Sequence, residues 1–313
     1  MSVAALWSAG RGQSEPASDD LPAAARRIRI GMPHLDAGGL SEGWLHRHCG
    51  DLHWEAIGRE LGVTSDGFRA ASDERLYPTV VALRARFGAP LATVAENDLL
   101  TAQAAVEPCG RACAHGRIDL TIGLQRASVE LVTTFALRGR DGGLRMATPA
   151  PTLAERWQPL GPPPRLVALA KAARAGVRLD DDFCGPSLVV DRAPLGRWRY
   201  EPSPYGDYNG AGLLYFAAYV TIADTGERAL VRQLGLAPRL SADWALATST
   251  VRRDAFFYAN LPLGEALVVE LLRFEPLHRR GVRGVKTHLR LCRATGERMA
   301  DLVTERRFMG VKA

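Results

Sequence analysis

The sequence predicts an α+β fold built twice over, on three observations. A long helical stretch heads each half of the chain, a series of strand-like runs follows each helix, and a Pro- and Gly-rich stretch separates the halves. In the first half, Trp44, Leu45, Leu52, Ile57 and Leu61 recur at helical spacing over residues 40–61, although Gly50 and Gly58 weaken that helix on propensity alone. Strand-like runs follow at 76–87, 92–106, 117–124 and 129–137. Pro149, Pro151 and the run Gly161-Pro162-Pro163-Pro164 then break regular structure, and 166–174 reads as one short linking helix. In the second half a strand at 197–201 precedes a turn-rich segment, Pro204 to Gly210. The segment leads into a helix over 212–223, with strands expected at 244–251, 255–259, 266–274, 284–292 and 299–309. Residues 1–26, rich in Ala, Ser, Asp and Pro, read as a disordered leader. The expected division is then 27–149, a linker over 150–183, and 184–313.

Composition narrows the function classes. At 313 residues the chain is long enough for two ordinary domains, and 47% hydrophobic with 24% charged residues is the balance of a soluble globular protein. No apolar run is long enough to span a bilayer, and the N-terminus lacks the basic start and apolar block of a signal peptide, so a cytoplasmic protein without membrane contact is expected. The odd number of cysteines, five, suggests no disulfide framework. A formal charge of +6 comes almost wholly from scattered Arg, since Lys171, Lys286 and Lys312 are the only lysines. No nucleic-acid motif accompanies it, so an acidic protein partner or a phosphorylated cofactor suits the charge equally well.

Four motifs carry the chemistry. Gly31-Met32-Pro33-His34-Leu35, Gly39-Leu40-Ser41-Glu42-Gly43-Trp44-Leu45 and Cys49-Gly50-Asp51-Leu52-His53-Trp54 follow one another closely, and Asp207-Tyr208-Asn209-Gly210 opens the second helix. The last resembles the segment that opens the central helix of hot-dog thioesterases and dehydratases. Together, in order from Arg27 onward, they resemble the double hot-dog acyltransferase/decarboxylases typified by the enzyme of leinamycin biosynthesis. That resemblance implies two fused hot-dog domains acting on methylmalonyl-CoA. The acyl group would pass to a phosphopantetheinylated acyl carrier protein and lose carbon dioxide, leaving a propionyl thioester for polyketide assembly. Coenzyme A would enter as substrate, with no tightly bound cofactor. Whether the fused pair forms a homodimer is left open.

The resemblance also implies a role for Tyr77, the tyrosine just downstream of the first helix, as the residue that takes the acyl group. A phenol has an ordinary pKa near 10 and needs a cation or hydrogen-bond donors to act as a nucleophile, and Arg75 lies two residues away. Packing on a sheet is the commoner use of a strand tyrosine. Asp51 reads either as a carboxylate shaping an acyl pocket or as a charge on a helix segment restarted after Gly50. His53 reads as a donor to the thioester or as a core histidine bonded to a carbonyl. Asp207, Asn209 and Gly210 match an acyl-thioester pocket in the wider superfamily, or serve as turn and cap. Two further readings stand beside the acyltransferase: a thioesterase or dehydratase using Asp207 or Asn209, and a non-catalytic scaffold binding acyl carriers. Neither His46, His48, Cys49 and His53 nor Cys109, Cys113 and His115 shows a standard metal spacing, so no metal is expected. Carrier docking is expected at Arg84 and Arg86, or at the loop from Arg279 to Arg283.

Overall fold

A computed structural model describes residues 25–139, 143–159, 161–177, 181, 183–184, 193–237, 243–279 and 282–309. Strand β1 (Ala25–Arg29) and a small ribbon, β2 (Leu35–Asp36) with β3 (Gly39–Leu40), lead into helix α1 (Glu42–Leu61). Strands β4 (Tyr77–Phe87), β5 (Leu99–Gly110), β6 (Cys113–Ile122), β7 (Gln125–Arg138) and β8 (Leu144–Met146) follow, then helices α2 (Pro151–Ala154) and α3 (Arg165–Ala175). The second half holds β9 (Gly196–Tyr200), α4 (Phe216–Gln233), α5 (Trp244–Ala247), β10 (Thr248–Phe257), β11 (Leu267–Arg279), β12 (Val282–Arg293) and β13 (Arg298–Phe308).

All the long strands join one antiparallel sheet in the order β1-β5-β6-β7-β4-β10-β13-β12-β11-β9, with β8 on β7. The two halves therefore meet strand to strand, where Arg252 pairs with Arg86, Asp254 with Arg84 and Phe256 with Ala82. One face of the sheet wraps the two helices, α1 against β5, β6 and β7, and α4 against β9, β11, β12 and β13. This is a double hot-dog fold, with one continuous core. Leu45, Leu52 and Ala56 of α1, Val220, Ile222 and Leu230 of α4, and inward residues of both strand groups belong to a single buried cluster.

Local chemistry accounts for the helices. Ser41 accepts a hydrogen bond from the Trp44 amide at the start of α1, and Gly62, with φ 70°, ends it in the left-handed conformation. Gly50 does not break α1, because packing decides there. A methyl group on it would meet the Phe216 ring at 2.9 Å and the Tyr215 hydroxyl at 3.0 Å, and one on Gly43 would meet Thr221 Oγ1 at 2.7 Å. The two glycines let antiparallel helices from the two halves touch.

A buried charge network ties the same elements. The Arg253 guanidinium, fully buried on β10, donates to Glu42 at the start of α1 (2.6 and 3.0 Å) and to Asp224 on α4 (2.9 Å). Arg306 of β13 donates to Asp224 and to Glu227 (2.9 Å). Burial acts to raise the Glu42 pKa, but the Arg253 charge and the His46 contact outweigh it and hold the carboxyl well below the usual range.

Several boundaries differ from expectation. The expected leader overlaps β1, which pairs Arg26 with Ala102 on the sheet edge. Residues 244–247 form a helical turn rather than strand, because Trp244 is buried and donates to Glu227. The strand expected at 255–259 is the end of β10, which runs without interruption from Thr248. Helix α4 starts and ends later than expected, at Phe216 and Gln233.

Candidate functional site

A bulge in β4 decides where the site lies. The register of β4 against β7 shifts between Val80 and Ala82. Beyond it Leu83, Ala85 and Phe87 face the core under the helices. Before it, Tyr77 and Thr79 sit opposite Ala136 and Thr134, on the face away from α1, because the alternate residue Thr133 points inward to His53. One inserted residue thus turns Tyr77 and Thr79 to the side of the sheet covered by α3.

The seam opens at the same place. Pairing between β4 and β10 ends at Ala82 with Phe256, so Tyr77 to Val81 have no partner on β10. A cavity of about 1350 Å³ passes between the start of β4 and the end of β10 and is lined from both faces of the sheet. On the helix side its wall includes Arg47, Gly50, Asp51, Tyr215 and Phe216; on the α3 side it includes Tyr77, Thr79, Cys113, Thr134 and Lys171. Val80, Val81, Phe257 and Tyr258 line the passage.

Tyr77 thus lines the cavity, as does Arg75, whose guanidinium carbon lies 5.2 Å from the Tyr77 ring centroid. Arg75 stacks on the ring and precedes the strand, so the two do not alternate on one strand face. Lys171, on α3, has neither a hydrogen bond nor an ion pair with any described residue, and neither does the Tyr77 hydroxyl.

Asp51 opens onto the helix side of the cavity. Burial raises its carboxyl pKa above the ordinary value, Arg26 opposes the rise and Glu55 adds to it. The Tyr215 phenol is pushed up as well, by burial first and then by the Asp51 charge, while the Arg47 guanidinium 5.3 Å from its ring centroid opposes. Tyr215 is the residue before α4 and makes no side-chain cap, and no intrahelical carbonyl is available to the first amides of the helix, those of Phe216 and Ala217. An uncapped helix start therefore flanks the cavity on the same side as Asp51, a placement suited to a negatively charging oxygen.

Asn209 and Gly210 line the cavity, but Asp207 does not. The buried Asp207 carboxylate accepts from the Ser203 amide (2.7 Å) and the Tyr200 hydroxyl (3.0 Å), and its carbonyl accepts from the Tyr215 amide (2.8 Å). It latches the turn. Asn209 Oδ1 accepts from the amides of Ala211 (3.0 Å) and Leu213 (3.1 Å), which leaves Nδ2 with no protein partner among the described residues.

His53 is also absent from the cavity wall. It is fully buried, with Nε2 3.1 Å from Thr133 Oγ1, and a methyl group on Gly116 would meet its Nδ1 at 2.1 Å. Neither expected role describes it: its partner is a side-chain hydroxyl in the core. Burial, then the His115 charge, pulls its pKa down to about 3. The unfolded chain therefore binds a proton that the folded one refuses between about pH 6.5 and pH 3, so stability falls as pH drops through that window. At 1.36 kcal/mol per unit, His53 alone is expected to remove ~3 kcal/mol between pH 6.5 and pH 4. Urea unfolding of His53→Asn should show a clearly shallower loss over that range than the parent chain. Parallel pH profiles would assign the loss elsewhere.

Sequence reasoning missed Lys171, Thr134, Tyr215 and Cys113. The rarity of lysine was the one signal for Lys171. Among the described residues, Asp181, Cys184 and Asp254 alone converge closely enough to hold a metal. Their charge is already matched: Arg84 lies 2.7 Å from Asp254 and 3.6 Å from Asp181, and Arg86 lies 2.9 Å from Asp254. Asp181 also accepts from the amides of Phe183 and Cys184. The cluster is a salt-bridge knot on the seam. It also removes Arg84 and Arg86 as free docking charges; in the other expected docking loop, Arg280 and Gly281 lie outside the described residues.

No protein-family model matches the sequence, and no curated protein matches it. Among solved structures, the fold is similar to a Lactobacillus plantarum protein described as an oleoyl thioesterase, at 12% identity and TM-score 0.62, over 92% of this chain and 96% of that one. It is similar to the 12:0-ACP thioesterase of Umbellularia californica, at 9% identity and TM-score 0.61, over 91% and 93%. An acyl-ACP thioesterase from Bacteroides thetaiotaomicron follows at 12% identity and TM-score 0.55, over 90% and 96%. Identities this low establish the shared architecture. No helix among the described residues is long and apolar enough to cross a membrane.

Proposed function

We propose that this chain is an enzyme acting on acyl thioesters, moving the acyl group of methylmalonyl-CoA to an acyl carrier protein and decarboxylating it to a propionyl thioester. The observation that carries the reading is Tyr77. Its hydroxyl has no partner among the described residues, Arg75 covers its ring, and Lys171, with no hydrogen bond or ion pair to a described residue, lines the same cavity. Neighbours of the same fold are described as acyl-ACP thioesterases, which supports thioester chemistry in this architecture.

The chemistry follows from those groups. The Tyr77 oxygen attacks the thioester carbonyl, the C–S bond breaks, and the phenolic proton passes to the departing thiolate. A thiol is the stronger acid, about 8.5 against about 10, so the thiolate leaves more readily than phenoxide and the tyrosyl ester forms. Loss of carbon dioxide sends the electrons of the broken C–C bond to the ester carbonyl oxygen as an enolate, which takes a proton at carbon. That oxygen needs preorganised donors, and the cavity offers Thr134 and Asn209 Nδ2, whereas the Thr79 hydroxyl donates to the Tyr77 carbonyl. Val80, Val81 and Val132 supply apolar wall for the carboxylate that departs. The carrier thiolate then displaces phenoxide, the harder half-reaction, and the positive charges of Arg75 and Lys171 favour it.

A second reading rests on a different observation. Asp51 and the uncapped start of α4 share the helix side of the cavity, so a water activated by Asp51 and an oxygen held at the Phe216 amide would hydrolyse a thioester. One experiment separates them. Methylmalonyl-CoA labelled in its free carboxyl is incubated with and without phosphopantetheinylated carrier. The proposal expects labelled carbon dioxide and propionyl-carrier. Release of free acid with the label retained supports the hydrolase instead, and carrier binding without turnover supports a scaffold.

A further inference from the structure

The cavity wall holds one thiol, Cys113, with a second, Cys109, beside it, and neither reading above uses them. Cys109 is the second-last residue of β5 and Cys113 starts β6, on either side of a tight hairpin whose register slips between Pro108 and Gly110 and pairs Gly110 with Cys113. The slip brings Cys109 beside Cys113, and both pack into the cluster under α3. Cys113 also lines the cavity, opposite Thr134 and on the Tyr77 side of the sheet. The other three cysteines, Cys49, Cys184 and Cys292, are buried, whereas Cys109 and Cys113 are both partly exposed.

We propose that Cys109 and Cys113 form a redox-active dithiol at the cavity wall, reached through Cys113, which a hydroperoxide closes to an intramolecular disulfide. Each thiol perturbs the other's pKa, and both feel the positive charge of Lys171. Disulfides need Cα atoms about 4.4–6.8 Å apart, the range that neighbouring positions across a hairpin span. Access assigns the roles. Cys113 lines the cavity together with Lys171, whose charge favours a thiolate there, whereas Cys109 sits behind it and is not in the wall. Cys113 is then the attacking thiolate. Its sulfur takes one peroxide oxygen to become a sulfenic acid, and the other oxygen leaves as alkoxide and picks up a proton. Cys109 attacks the sulfenic sulfur, the S–S bond forms, and water departs. The cavity wall then presents a disulfide to Lys171 in place of a thiolate.

The test uses the intact chain and reads sulfur directly, so it is independent of the catalytic reading. After brief exposure to hydrogen peroxide and quenching, titration in denaturant should find two fewer thiols than the five of the untreated chain. Non-reducing peptide mapping should place the link between Cys109 and Cys113, reversible by dithiothreitol. In Cys109→Ser the resolving thiol is gone, so a sulfenic-acid trap should label Cys113 at least tenfold more than in the parent. Independently, a phenylarsenoxide, which bridges two adjacent thiols, should bind the parent chain one to one and bind either serine variant at least tenfold more weakly. Unlinked Cys109 and Cys113 peptides, a link to another cysteine, or arsenical binding equal in parent and serine variants would each overturn the proposal.

Discussion

Arg253→Met is expected to destabilise the fold by about 3–5 kcal/mol, the cost typical of removing one partner from a buried ion pair. The long apolar side chain fills much of the volume, so the loss is one of charge. Glu42, buried at the head of α1, would be left without the guanidinium that now gives it two hydrogen bonds, and Asp224 would lose one of its two arginines. Since domains are stable by only about 5–15 kcal/mol, the change would lower the urea midpoint markedly. The pairing predicts a second result. In Glu42→Gln/Arg253→Met the orphaned charge is absent, so the double variant should lose much less than the two single variants added together. A loss under 1 kcal/mol in Arg253→Met, or strict additivity in the cycle, would show that the network contributes no net coupling. Because Glu42 belongs to α1 while Arg253 and Asp224 belong to β10 and α4, the variant should also loosen the contact between the halves. Trp54 and Trp157 report on one half, Trp198 and Trp244 on the other. Their unfolding transitions should coincide in the parent chain and separate in the variant.

The architecture was legible in the sequence because its signals are local. Hydrophobic periodicity marked both long helices and nearly all the strands. What the pattern missed depends on distant partners. Gly50 argues against a helix until Phe216 is seen packed against it, and Trp244 reads as strand until Glu227 supplies a partner for its indole. Edge strand β1 is too short and polar to stand out from the segment before it.

The candidate site was half legible. Tyr77, Asp51, Asn209 and Gly210 share one cavity, whereas His53 and Asp207 are spent on Thr133 and on the turn before α4. Motif spacing does not distinguish a side chain that meets a ligand from one that builds the loop presenting it. The face of Tyr77 was hidden for another reason. Strict alternation back from Leu83 puts Tyr77 in the core, and only the extra residue near Val81 turns it outward. A bulge leaves no reliable mark in composition.

Tyr77→Phe should abolish acyl transfer to the carrier while leaving the fold and substrate binding nearly unchanged. The hydroxyl makes no hydrogen bond with a described residue, so its removal leaves no buried group unsatisfied, and the Arg75 stack on the ring survives. The expected signature is therefore a fall in kcat of at least a thousandfold, equivalent to ~4 kcal/mol of lost transition-state stabilisation, with KM for the CoA thioester changed by less than about threefold. Lys171→Ala tests the step that displaces phenoxide. With the favouring charge gone, the labelled acyl group should accumulate on the protein as an ester stable to cold acid and labile to hydroxylamine, and that label should be absent in Tyr77→Phe. Asp51→Asn supplies the contrast, since it removes a base from the helix side of the cavity without touching the phenol. If transfer runs through Tyr77, Asp51→Asn retains propionyl-carrier formation and Tyr77→Phe does not. The reverse pattern, a Tyr77→Phe chain with undiminished propionyl-carrier and an inactive Asp51→Asn chain, would remove the acyl-tyrosine step and move the chemistry to Asp51 and the start of α4.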